Sequence, residues 1–160
     1  LFAFGLRILE AGLAGFPDEL RFMDVESAPD VQAKVDKLLN VLGEGFGHVN
    51  FFRIICMRSR NTSANAYARI WNLPDIWQKA LSVSTFYIIE VVTQHYDKLS
   101  PEEQEKVLIH ELLHIPKTFS GALLPHSHPG GKVDKRTVDK IYAVYKKKLA
   151  ELGGQGASLE

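Results

Sequence analysis

Residues 100–116, SPEEQEKVLIHELLHIP, constrain this chain more than any other stretch, because they specify both ends of one helix and a chemical demand inside it. Ser100 supplies a capping hydroxyl, Pro101 suits a first helical position, and Glu103 completes a capping box, so a helix opens at about residue 101. Pro116 disfavours helical geometry at Ile115 and stops it there. Val107, Leu108, Ile109, Leu112 and Leu113 cover more than one stripe, which predicts a largely buried helix. His110, Glu111 and His114 fall inside that apolar setting. Two imidazoles four residues apart differ by about 40° around a helix and about 6 Å along it, so both can turn a nitrogen toward one ion. Glu111 lies about 100° from His110, close enough to take a proton from water at the metal without joining its ligands. Left without a metal, the trio would strand polar groups at about 1–3 kcal/mol each. The spacing therefore reads as two zinc ligands and a general base.

Catalytic zinc commonly takes three protein ligands and keeps a fourth position for water. The segment beyond Pro116 contains Gly121, Pro125, Pro129, Gly130 and Gly131, a composition that lets it double back across the helix end. His126 and His128 both sit on it, and either can supply the third nitrogen.

Three stretches, AYARIWNLPDIWQKAL at 66–81, FYIIEVV at 86–92 and VLIHELLHIPKTFSGALLPH at 107–126, give the chain a resemblance to SprT/Spartan-like zinc peptidases. It resembles more closely the related metallopeptidase family of archaea and phages with the HELLHIPKTFSG motif. The resemblance covers about residues 25–150, and only the part around HELLH is highly specific. In those relatives a His about a dozen residues beyond HExxH, often after Pro and before Gly, is the third ligand. The resemblance implies that role for His126, which follows Pro125. Ser127 stands where Gly is common, and His128 remains the rival. It also implies a zincin-like fold and, if Spartan function carried over, DNA-bound protein substrates. The extra recruitment segments usual in Spartan-type repair proteases are not found in this sequence.

At 160 residues the chain has the size of one domain with a substantial core. Nineteen acidic and nineteen basic side chains cancel, so no overall field favours nucleic acid or an anionic membrane. Cys56 is the only cysteine and lies in an apolar run, which predicts a core residue and, with no CxxC pair, suits a cytoplasmic setting. No apolar run reaches 18 residues, so no membrane-spanning helix is expected. The apolar start LFAFGLRILEAGLAGF lacks the basic leader of a signal peptide, and its role is left open.

The expected class is α+β: a single zincin-like domain with a small mixed sheet of three or more strands packed on the HExxH helix and flanking helices. Residues 1–24 are taken as an N-terminal helical segment, 25–151 as the domain and 152–160 as a flexible tail. The first fifty residues read as mostly helical, with one helix starting at Ser27-Ala28-Pro29-Asp30 and ending at Gly43. Residues 49–58, 64–73 and 85–93 read as strands, and 133–151 as a closing amphipathic helix. A strand edge beside the cleft would hold extended substrate backbone by β-augmentation; which strand is the edge stays open.

The expected chemistry is peptide-bond hydrolysis at one zinc held by His110, His114 and His126, with Glu111 as base and then as proton donor to the leaving amine. Tyr142, Tyr145 and, if it is not a ligand, His128 are candidate donors to the oxyanion. Glu90, an acid in an apolar strand, is a candidate second-shell partner for an imidazole, or else an ion-pair partner of Arg53 or Arg69. Lys132, Lys135, Arg136, Lys140, Lys146, Lys147 and Lys148 form a basic stripe that could track phosphates, or simply a solvated face. Two other functions share the motif: a zinc-containing binding or regulatory module without turnover, and metal-dependent hydrolysis of something other than a peptide. An intact Glu111 argues against the first.

Overall fold

The computed structural model describes residues 24–156. Expectations for residues 1–23 and for the last four residues lie outside the described part. The order of elements is β1 (Asp24–Ser27), α1 (Pro29–Leu42), β2 (Ile54–Arg60), β3 (Ala68–Asn72), α2 (Asp75–Leu81), β4 (Tyr87–Val92), α3 (Thr93–Tyr96), α4 (Pro101–Leu113), β5 (Ser127–His128), β6 (Gly131–Lys132) and α5 (Lys135–Gly156). Two short 3-10 turns, Gly43–Phe46 and Phe51–Arg53, complete it.

Four strands form one mixed sheet in the order β1-β2-β4-β3, and β5 and β6 form a small separate hairpin. β2 runs parallel to β4, while β1 and β3 run antiparallel to their neighbours. Among the described residues β3 is thus an edge, and β4, the apolar strand that precedes the HExxH helix, is interior. Its sequence fits that place, since five of the six residues from Tyr87 to Val92 are buried.

Side-chain alternation divides the sheet into two faces. Ile54 and Cys56 of β2, Tyr87, Ile89 and Val91 of β4, and Ala68 of β3 join one core with Val31, Val35 and Leu38 of α1, Leu108, Ile109 and Leu112 of α4, and Val138, Tyr142 and Tyr145 of α5. The opposite face carries Ile55, Ile88 and Trp71, all exposed. Complete burial of Leu108, Ile109 and Leu112 contributes about 1.5–3 kcal/mol each and fixes how α4 is turned. That rotation decides where the motif residues point.

Several boundaries differ from the sequence expectation. β1 was not expected: its four residues are all exposed and Val25 alone is apolar, so it carries no pattern for an edge strand. Residues 51–53 form a 3-10 turn instead of the start of a strand, because the Asn50 side chain caps the Phe52 amide at 3.1 Å. The strand begins only at Ile54. α5 continues past Glu151 to Gly156. Among the described residues no helix is long and apolar enough to cross a membrane.

Candidate metal centre

The helix that bears the motif is set by local chemistry at both ends. Ser100 Oγ accepts from the Glu103 amide at 3.3 Å while the Glu103 carboxylate takes the Ser100 amide at 2.9 Å, the reciprocal pair of a capping box. At the other end His114 is the C-cap, its amide bonded to Glu111 O, and Ile115 follows with a bond to Leu112 O. His110, Glu111 and His114 therefore occupy the last turn and a half.

The chain then turns back on itself. Phe119 N donates to Pro116 O, and Phe119 and Gly121 both have positive φ, 47° and 85°. Three anchors hold the returning strand of the loop. Tyr87 of β4 accepts from Gly121 N and donates to Ala122 O, both at 2.9 Å. Asn72 of β3 donates to Gly121 O. Leu124 N donates to His114 O at 2.8 Å. A Cβ on Gly121 would meet the Gln78 side chain and stand 3.2 Å from Leu73 O, so both the space and the positive φ require glycine there.

His126 arrives by this route beside the two helical imidazoles. Its ring centroid is 5.3 Å from that of His110 and 4.8 Å from that of His114. One nitrogen from each ring lies within 4.8 Å of the others, and His114 Nε2 is 3.3 Å from His110 Nε2. His128 is not part of the group. Its Nδ1 accepts from Gly130 N at 3.1 Å, which closes the β5-β6 hairpin.

Protonation favours ligation. His114 Nδ1 lies 2.6 Å from Leu124 O, so Nδ1 donates to that carbonyl and Nε2 keeps a lone pair for a cation. Burial, then the neighbouring His114 and His126, hold His110 below its ordinary value and leave it neutral at pH 7. Burial pushes the Glu111 carboxyl up to about 7, against a smaller opposing pull from a hydrogen bond to the Ile70 backbone. A carboxyl poised near neutrality on the residue after His110 is equipped to take and return protons.

Three candidate side chains are engaged elsewhere. Tyr142 and Tyr145 do not face the imidazoles: both hydroxyls donate to Glu105, at 3.0 and 3.2 Å, on a part of α4 about 140° around the helix from His110. Glu90 is not a partner of an imidazole either. Alternation places it on the sheet face turned away from α4, where its carboxylate receives Arg69 Nη2 and Trp71 Nε1, each at 2.7 Å. The imidazole partner is a backbone carbonyl, that of Leu124, which no side-chain pattern announces.

Cys56 is 2% exposed, and burial pushes its thiol up to about 12, so it behaves as a core residue and not as a nucleophile. On α5, Lys135, Arg136 and Lys140 are exposed, but Asp139 among them pairs with Lys106 at 2.9 Å, and Lys148 donates to Leu42 O.

Residues 23–148 match the protein family described as "Putative phage metallopeptidase". No curated protein and no solved structure matches the chain.

Proposed function

The chain belongs to this phage metallopeptidase family, and on that premise we propose that it is a zinc-dependent endopeptidase whose ion is held by His110, His114 and His126. The observation that carries the reading is the convergence of the three imidazoles. Two nitrogens each about 2.0–2.1 Å from one zinc at a tetrahedral angle stand about 3.3 Å apart. His110 and His114 already have that separation, 3.3 Å. Three imidazoles suit zinc, and the exposed side of His126 leaves the approach open to solvent and substrate.

Zinc, when bound, supplies the Lewis acidity that activates water and polarises the scissile carbonyl. The chain's own residues do the rest. Glu111 takes a proton from the attacking water and delivers it to the departing amine nitrogen, which its near-neutral carboxyl permits in both directions. Leu124 O holds the His114 ring in one tautomer. β3 positions the substrate. Val92 N bonds to Tyr67 O and Leu73 N to Phe86 O, so odd-numbered residues of this strand face β4, and the backbone groups of Ala68, Ile70 and Asn72 point outward, the Ile70 amide to the Glu111 carboxylate. An extended peptide laid along that edge runs past Ile70 and so past Glu111.

Metal analysis with three variants tests the proposal. Purified protein is expected to carry about one zinc per chain, and Glu111→Gln to keep it while hydrolysis of casein falls by at least about a hundredfold. His126→Ala is expected to weaken zinc binding strongly and His128→Ala to leave it unchanged. Metal-free protein purified without chelator, or a Glu111→Gln form that still cleaves, would refute the reading. An inert zinc module has no use for a buried base at this position. A Spartan-type role on DNA has no support in the net charge, which is zero. A DNA-linked protein offered beside casein distinguishes the two.

A further inference from the structure

Trp71 flanks the open edge of the sheet, and its surroundings give that position a definite chemical character. Ile55, Ile88 and Trp71 stand directly opposite one another on β2, β4 and β3, forming a row on the face turned away from the helices. They are 42%, 37% and 46% exposed. The row stops at β3, where the sheet ends.

The indole is also fixed in place. Trp71 Nε1 donates to Glu90 at 2.7 Å, and the Arg69 guanidinium lies 5.2 Å from the ring centroid. A ring held in this way loses little freedom when another side chain is laid against it. Glu90 and Arg69 pair with each other at 2.7 Å, so the patch around the ring asks for no charge in return. What remains is apolar, rigid and partly bare.

A peptide added to the β3 edge turns alternate side chains to the two faces of the sheet. Those on the outer face come within about 4.5–5.5 Å, Cβ to Cβ, of their partners on β3. We propose that Trp71 forms a specificity-determining subsite, taking an aromatic or large branched side chain of the extended peptide and so extending the Ile55, Ile88, Trp71 row by one member. This rests on the endopeptidase reading above. The enzyme then selects at one substrate position whose side chain points away from the imidazoles, and discriminates against Asp and Gly there.

The probe is a set of ten-residue peptides of alanine and glutamine, carrying a fluorescent donor and a quencher, with Phe, Ile, Asp or Gly at one scanned position. Zinc-loaded wild type is expected to favour Phe and Ile over Gly and Asp at a single position by about tenfold or more in kcat/KM. Trp71→Ala should erase that preference, mostly through KM, while Trp77→Ala on α2 retains it. Trp71→Lys provides a second reading, with the preference at the same position shifting toward Asp. Binding of the Phe peptide to zinc-loaded Glu111→Gln, followed by fluorescence anisotropy, should weaken by a similar factor when Trp71→Ala is added. Cleavage with unchanged selectivity in both Trp71 variants overturns the subsite and leaves the peptidase intact. A Trp71→Ala change that alters only the oligomeric state on sedimentation assigns the row to a second copy and likewise overturns it. No cleavage of any peptide by the zinc-loaded protein overturns the endopeptidase reading, and the subsite with it.

Discussion

Glu90 shows how much a single side chain on an interior strand can hold. Burial alone would raise its carboxyl, but hydrogen bonds from Arg69 and Trp71 outweigh that and keep it below the ordinary value of 4.5. A folded-state value below the unfolded one means that the stabilisation is complete above the unfolded value. It disappears as pH falls through the folded value. Urea midpoints measured from pH 7 down to pH 3 should therefore drop for the wild type in the acid range, and Glu90→Gln should flatten that stretch. At pH 7 the variant should be less stable by about 1.5–3 kcal/mol, since it removes charged hydrogen bonds from a side chain that is 4% exposed. The sequence named Arg69 as a possible ion-pair partner for Glu90 because strand register makes neighbours of acids and bases in adjacent strands. It could not reveal Trp71, whose Nε1 reaches the carboxylate only after the register is fixed. The residues alone left His126 and His128 open and only the family resemblance favoured His126, because the anchors that bring His126 beside the helical imidazoles, Tyr87 and Asn72, are distant in sequence.

Elements built from local signals were the legible ones. The capping box, Pro101 and Pro116 fixed α4 to within a residue or two, and the apolar repeat from Val31 to Leu42 did the same for α1. α2 escaped notice because none of its residues is buried and its apolar side chains, Ile76, Trp77 and Leu81, lie in solvent. The loop between Pro116 and His126 is the element on which the candidate site turns, and Gly121 is its tightest point. Gly121→Ala combines an unfavourable positive φ with contact against Gln78 and Leu73 O. Expected effects are a loss of about 1–3 kcal/mol in stability and a zinc affinity lowered together with it, the helix remaining intact by circular dichroism. Normal zinc binding in this variant would mean that His126 does not depend on the loop's path.

On the scale of the whole molecule, the described residues form two layers with Ile55, Ile88 and Trp71 exposed on the outer sheet face, and the two layers meet at the candidate centre. α4 offers two imidazoles from the helical layer, while the loop that brings the third is pinned to β3 and β4. A ligand that binds only the folded arrangement stabilises it by mass action, about 4 kcal/mol at a thousandfold excess over its dissociation constant. Treatment with a chelator is accordingly expected to lower the melting temperature by several degrees. Limited proteolysis should then cut first between residues 116 and 126, while the α1, α4 and α5 core survives. Zinc restores both, and magnesium should not, because three imidazoles suit the borderline metals. Equal melting temperatures with and without chelator would show that no ion links the layers.

The Leu124 carbonyl that accepts the His114 Nδ1 hydrogen bond belongs to the same loop that delivers His126. In the proposed site one stretch of backbone therefore sets both how many donors would face an ion and which nitrogen one of them presents. In such a site, grip on a cation would be retuned by lengthening or shortening this return path, with every letter of HELLH left as it is, so a preserved pentapeptide would be no guide to how tightly two chains of this kind hold a metal.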